Sequence, residues 1–236
     1  MSVSPRERPA IDKVVPSVDA ALADLRDGMT VMVGGFGEVG VPFALLDGLV
    51  RRGVRDLTII HNNAGNGERG VAALFKHGQV RKLISSFPIH KGNEHFRTQY
   101  DAGKVEVEVV PQGTVAERIR AAGAGLGGFF TPTGVGTVVA EGKEVREIDG
   151  RTYVLERPLH ADVALLKAQT ADPYGNVRYR LSMRNFNPIM AMAAELTVVQ
   201  VAEVVPVAGL DPDDIHTPAI FVDRVVQVGP EEGGEH

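Results

Sequence analysis

The sequence predicts an α/β protein built on an open, mainly parallel twisted sheet flanked by helices, with a β-hairpin insertion in its second half. Two observations predict it. Short runs rich in β-branched and aliphatic residues alternate with helix-like segments along the first half, the order that builds a doubly wound sheet. Further on, Val145-Arg146-Glu147-Ile148 and Arg151-Thr152-Tyr153-Val154-Leu155 flank Asp149-Gly150, the strongest short-range hairpin signal in the chain. The length of 236 residues suits one large α/β domain, or one and a half ordinary ones.

Element by element, Val14 to Leu25 reads as a first helix, with Ser17 as its N-cap and Gly28 past its end. Thr30 to Val33 is a short strand stopped by Gly34-Gly35. Pro42 opens a helix through Arg52 that ends at Gly53, the expected placement of proline before and glycine after. Leu57 to His61, Val80 to Phe87 and Val105 to Val110 are strands, and Val115 to Ala122 is a helix. After the hairpin, Asp172 to Asn176 is a turn. Asp162 to Lys167 and Leu196 to Val201 are buried strands around a helix from Pro188 to Ala194. No composition break marks a linker, and the polar tail from residue 229 to 236 is expected to fray.

Composition removes several function classes. Hydrophobic residues at 44% and charged residues at 23% exclude a disordered chain, and no apolar run is long enough to span a bilayer. A net charge of −5 without basic clusters argues against nucleic acid as a partner. The absence of cysteine removes disulfides, thiolate metal sites and a thiol nucleophile. Histidines 61, 77, 90, 95, 160, 216 and 236 lack metal-ligand spacing, so no metal is expected. Met1 to Val15 carry no signal-peptide pattern, which makes a cytoplasmic location the default. There is no G-x-S-x-G elbow and no Walker A lysine.

Three strand-to-helix junctions carry residues suited to a ligand. Gly34-Gly35-Phe36-Gly37-Glu38-Val39-Gly40 can present backbone N–H groups to a phosphate or a carbonyl oxygen. It also fits a dinucleotide fingerprint, but the second strand ends in His61-Asn62-Asn63 and not in the acidic ribose anchor; a simple tight turn stays open. Asn62-Asn63-Ala64-Gly65-Asn66-Gly67 lies where open α/β sheets place ligands, and its carboxamides can orient a carboxylate; an ordinary Asn/Gly turn stays open here too. In Pro111-Gln112-Gly113-Thr114, Thr114 and Glu117 form a capping-box pattern that does not require Gln112. Together the three point to a shared cleft.

Two more segments are candidate contact surfaces. One is the small-residue connection from 121 to 137, longer than most loops in compact domains. The other is Arg184 to Ala194, whose alternative is an ordinary buried helix. Glu141, Glu144 and Glu147 sit around the hairpin and read as a solvated face.

The run from Asp27 to Pro42, followed in order by Asn62 to Gly65, Pro111 to Arg120, Thr131 to Thr137, Glu141 to Glu144, Arg184 to Phe186 and His216 to Pro218, resembles the α (A) subunit of family I coenzyme A transferases. The resemblance covers residues 13–228 and implies a single domain there, with flexible ends at 1–12 and 229–236. Asn63 to Glu68 and Met190 to Ala194 are most similar to members acting on 3-oxoadipate, with those acting on acetoacetate next. Ala219 departs from the pattern, standing where relatives usually have glycine after the Thr-Pro pair.

The resemblance implies transfer of CoA from succinyl-CoA to a 3-oxo acid by a ping-pong route through a glutamyl-CoA thioester. Coenzyme A and succinyl-CoA enter as substrates, and no cofactor is bound permanently. In two-chain members the nucleophilic glutamate lies in a Ser-Glu-Asn-Gly motif of the β (B) subunit. That motif is missing from this sequence, so no catalytic residue is assigned to this chain. The implied partner is that β (B) subunit, in an AB or A2B2 heteromer. Gly34 to Gly40 map onto the CoA-binding segment, and Asn62, Asn63 and Gln112 onto positions beside the reacting carboxylate. A non-catalytic effector-binding module of the same fold is the competing expectation, and a pairing protein without chemistry a weaker third.

Overall fold

The structure, a computed structural model, describes residues 11–229. Most of the ends expected to be flexible, residues 1–10 and 230–236, lie outside the described residues. The first half runs β1 (Val14–Val15), α1 (Val18–Ala21), β2 (Thr30–Val33), α2 (Phe43–Arg52), β3 (Leu57–Ile60), α3 (Val71–Lys76), β4 (Val80–Ser85), α4 (Glu94–Asp101), β5 (Glu106–Val109) and α5 (Gln112–Gly123). It continues with β6 (Phe129–Thr131), β7 (Val145–Ile148), β8 (Arg151–Glu156), β9 (Ala161–Ala171), β10 (Val177–Arg178), α6 (Asn187–Ala191), β11 (Ala194–Val204) and β12 (Arg224–Gln227).

Nine strands form one sheet in the order β1-β12-β11-β9-β2-β3-β4-β5, parallel throughout, with β10 antiparallel on β9. Val31 and Val33 face one hydrophobic layer with Leu45, Leu49, Leu74 and Phe75, while Met32 faces the other with Val115, Ile119 and Met190. The period-2 alternation of a strand thus feeds a core on each side of the sheet. β9 pairs with β2 at Val31 to Val33 and, farther along, with β10 at Ala171 and Thr170. The chain after β10 therefore returns over the carboxyl end of β2. No helix among the described residues is long and apolar enough to cross a membrane.

The expected hairpin forms, with Asp149 at φ 50° and Gly150 at φ 75°, the left-handed pair its tight turn needs. It is part of a larger unit. β6 joins it to give a three-stranded antiparallel sheet, β6-β8-β7, so the 121–137 connection is partly helix and partly strand. Glu141, Glu144 and Glu147 are exposed around this sheet.

Other expectations are corrected. Val14-Val15 is a strand paired with Val225-Val226, and the helix after it is a single turn capped by the Ser17 side chain. Val15 precedes Pro16, which disfavours helical backbone at that residue, and two β-branched side chains suit the sheet edge. The capping box at Thr114 does not form. α5 starts at Gln112, with Pro111 at its N-cap and no side-chain cap, so Thr114 lies inside the first turn and Glu117 binds Arg120 instead. The helix expected over Pro188 to Ala194 is the shorter α6, since β11 takes residues from Ala194 onward.

Candidate functional site

Parallel pairing brings the carboxyl ends of β2, β3, β4 and β5 to one edge, with Met32 level with Ile60, Ile60 with Ile84 and Ser85 with Val109. The glycine segment, His61 to Asn63, Ser85-Ser86 and Gln112 therefore emerge side by side. This is the crevice where open α/β sheets bind ligands.

The glycine segment is a small hairpin in its own right. Phe36 and Val39 exchange backbone hydrogen bonds of 3.0 and 3.1 Å, placing Gly37 and Glu38 at the tip. Gly37 has φ 62°, the left-handed conformation that favours glycine. Phe36, Glu38 and Val39 are exposed, while Gly34, Gly35 and Gly40 are buried at the base.

Asn187, fully buried, holds that base. Its Nδ2 donates to the carbonyls of Gly40 at 3.2 Å and Met183 at 2.8 Å, and its Oδ1 accepts the Lys167 N–H at 3.1 Å. Asn185 Nδ2 donates to the Val39 carbonyl at 3.0 Å. The Arg184 to Ala194 segment was a candidate contact surface. Asn187, Met190 and Ala191 are buried and support the glycine hairpin from within, while Arg184 and Met192 of the same segment are exposed.

The carboxamides of Asn62, Asn63 and Gln112 meet in one network. Asn62 Oδ1 accepts the Gly37 N–H at 3.1 Å and Asn63 Nδ2 at 3.0 Å. A backbone N–H can only donate, so it fixes which end of the Asn62 amide is oxygen. Asn62 Nδ2 then donates to Gln112 Oε1 at 3.3 Å, and Ser86 Oγ donates to the same oxygen. With its oxygen held twice, Gln112 leaves its Nε2 donors without a partner among the described residues and open to a ligand. Asn63 is more local. Its Oδ1 accepts the Gly65 N–H at 2.7 Å, the Asn/Gly turn left open above.

The sequence reading missed Ser85 and Ser86. Ser85 Oγ donates to the Asn62 carbonyl at 2.9 Å, and Ser86 Oγ, whose one proton goes to Gln112, lies 3.1 Å from the same carbonyl, so the pair ties the end of β4 to the amide network. The strand-to-helix rule applied at the other three junctions would have found them. It also missed His61, which is 1% exposed and donates from Nδ1 to the Val33 carbonyl at 2.8 Å. Burial pushes its imidazole down to about 4, against the smaller upward pull of that hydrogen bond. His61 is therefore neutral at pH 7, pinning β3 to the end of β2 beneath the glycine hairpin.

Chemically, the edge offers neutral donors and an apolar rim in which Phe36 is 52% and Phe87 60% exposed. Glu38 is the only carboxylate on the glycine hairpin, and it points to solvent at the tip. Among the described residues no group of three His, Cys, Asp or Glu is placed to hold a metal.

A parallel α/β sheet with an uncharged amide network at its carboxyl edge defines the class: an open α/β protein with a candidate ligand crevice beyond its strands. The chain belongs to the coenzyme A transferase family, whose sequence model matches residues 15–228. It is 59% identical over 218 residues to the α (A) subunit of the 3-oxoadipate CoA-transferase of Pseudomonas putida, covering 92% of this chain and 94% of that protein. It is 44% identical over 215 residues to the α (A) subunit of the succinyl-CoA:3-ketoacid coenzyme A transferase of Helicobacter pylori J99, covering 91% and 92%. The fold superposes on an acyl-CoA transferase of Escherichia coli O157:H7, in a thioester complex with CoA, with a TM-score of 0.81 and 23% identity. That match covers 94% of this chain and 48% of the other, so the present chain spans about half its length.

Proposed function

We propose that this chain is the α subunit of a coenzyme A transferase that moves CoA from succinyl-CoA to a 3-oxo acid, 3-oxoadipate foremost, in the cytoplasm. Residues 13–228 act as its single domain, without a permanently bound cofactor, and a β subunit completes the enzyme as AB or A2B2. The similarity to α subunits of named transferases supports the substrate class.

One observation carries the mechanistic reading: Asn62 and Gln112 interlock at the carboxyl edge, with no carboxylate or imidazole of this chain in the network to act as nucleophile or general base. The chemistry needs neither from this side. A glutamate carboxylate on the β-chain partner attacks the succinyl thioester carbonyl and expels CoA thiolate, leaving a succinyl-glutamyl anhydride. The thiolate attacks the glutamyl carbonyl, forming a glutamyl-CoA thioester and freeing succinate. The acceptor carboxylate attacks that thioester and expels the thiolate, which then takes the acyl group and restores the glutamate. Carboxylate and thiolate exchange at every step, and no proton is transferred. What remains is to align the partners and stabilise a developing oxyanion, a task for fixed neutral donors such as Gln112 Nε2 and the glycine hairpin. A cation would also hold the ground-state carboxylate and lose that selectivity.

The test is co-expression with a β subunit whose sequence contains Ser-Glu-Asn-Gly, followed by steady-state assays with succinyl-CoA. The expected result is transfer by the heteromer only, with kcat/KM for 3-oxoadipate roughly tenfold or more above that for acetoacetate. A reversed ratio would make acetoacetate the substrate. Transfer by the isolated chain, or none by the heteromer, would overturn the assignment.

A further inference from the structure

Ser86, the residue after β4, stands on backbone gripped from both sides. The Phe87 N–H donates to the Asn62 carbonyl at 3.2 Å, towards β3, and the Val110 N–H donates to the Ser85 carbonyl at 3.0 Å, towards β5. The Ser86 hydroxyl lies between two oxygens, the Asn62 carbonyl at 3.1 Å and Gln112 Oε1. Its single proton serves one of them. The Asn62 carbonyl already accepts the Phe87 N–H and, at 2.9 Å, the Ser85 hydroxyl, which uses both of its lone pairs. The Ser86 proton is therefore left for Gln112.

Gln112 Oε1 thus holds two donors from two strand ends, Asn62 Nδ2 after β3 and Ser86 Oγ after β4. Turning the amide over would set its NH2 group against the Asn62 amide protons and cost the Ser86 proton its acceptor. A hydrogen bond to an amide oxygen also draws electrons from the nitrogen, so each of the two strengthens the Nε2–H groups as donors.

We infer that Ser86 is a positioning residue of the transfer reaction, whose hydroxyl fixes the orientation of the Gln112 amide and raises its donor strength towards the developing oxyanion. The inference rests on the role given to Gln112 in the transferase reading above. Charge on the reacting oxygen grows in the transition state, so a better donor gains more there than in the bound ground state. The signature is a change in kcat with little change in KM. Asn62 is a less selective probe of the same effect, because its amide also accepts the Gly37 N–H and its loss would free the glycine hairpin as well.

The test uses the reconstituted heteromer. Ser86→Ala should lower kcat roughly three- to tenfold, the range for one neutral hydrogen bond, and leave KM for the acid within about twofold. Ser86→Thr keeps a hydroxyl and should restore most of the loss. The decisive comparison is a double-mutant cycle with Gln112→Ala, in which the two losses should not multiply, because Ser86 acts through Gln112. Losses that multiply, a loss confined to KM, an unchanged kcat in Ser86→Ala, or a threonine variant no faster than the alanine one would overturn the inference. Should the wild-type heteromer transfer CoA to neither acid, the functional reading falls separately, and NMR of this chain decides the contact. The Gln112 side-chain amide signals, assigned by their absence in Gln112→Ala, should move upfield in Ser86→Ala and return in Ser86→Thr. Signals that Ser86→Ala leaves in place would remove the contact.

Discussion

Asn187 Nδ2 donates to the Gly40 carbonyl at 3.2 Å across 147 positions of the chain, and its Oδ1 fills the space where a side chain on Gly34 would begin. One buried carboxamide therefore closes both ends of the glycine hairpin. A Cβ on Gly34 would lie 1.9 Å from that oxygen and 2.7 Å from Asn187 Cγ. Asn187 cannot retreat without losing its hydrogen bonds to the Lys167 N–H and to the Gly40 and Met183 carbonyls.

Gly34→Ala is expected to destabilise the fold by about 1–3 kcal/mol, the usual cost of overpacking a closed site. Urea unfolding of the isolated chain measures it. An unchanged midpoint would show that Asn187 moves aside freely.

Gln112→Ala removes the Nε2 donor that the proposed mechanism uses and the acceptor of Asn62 and Ser86 together. In the heteromer, kcat should fall roughly ten- to a thousandfold, the range for losing one transition-state donor, with a smaller change in KM. An unaltered kcat with an intact fold would take Gln112 out of the mechanism.

His61 predicts a pH dependence of stability with a definite sign. Its native imidazole titrates at about 4, below the ordinary value of 6.5, so between these values the unfolded chain binds a proton that the folded chain refuses. Stability from this residue is present above the unfolded value and falls as pH drops towards 4, after which the loss levels off. From pH 7 to pH 5 the contribution is about 2 kcal/mol. Denaturation of wild type and His61→Asn at both values isolates it. Parallel losses in the two proteins would place the pH dependence elsewhere.

Glu156, with a side chain 2% exposed, meets Lys143 Nζ at 2.6 Å and Arg118 Nε at 3.9 Å. Arg118 is already engaged by Glu108 at 2.9 Å and by the Arg157 carbonyl, so Lys143 carries most of the neutralisation. Lys143→Ala should cost about 2–4 kcal/mol, since removing one partner strands a buried charge. Adding Glu156→Gln should recover part of that loss in chemical denaturation. If the double variant is no more stable than the single, the pair does not hold the antiparallel sheet in place.

Much of the fold is legible where local chemistry decides. Gly53 ends α2 at φ 69°, Asp149-Gly150 turns the hairpin, and Gly175 closes its turn by donating to the Asp172 carbonyl, each a preference acting within a few residues. The three site junctions are legible for the same reason, because glycine and carboxamide residues stand directly after apolar runs. The lengths of β9 and β11 are not. Both extend to eleven residues because they pair with each other along their whole length. Val14-Val15 becomes a strand only because β12 offers it an edge, after a return of some two hundred residues.

The sequence by itself determined the class of sheet, the junctions that carry glycine and amide side chains, and the absence of a thiol. Tertiary structure decided which of those groups meet. Asn62 reaches Gly37 over 25 residues and Gln112 over 50, and Asn187 reaches Gly40 over 147. Such contacts follow from strand order and register, which set the neighbours of a side chain once the sheet has assembled. Propensity and turn chemistry act between adjacent residues and carry no record of that order. The sequence therefore shows Gln112 as an amide at a junction, and the folded sheet engages its oxygen and leaves its Nε2 without a partner among the described residues.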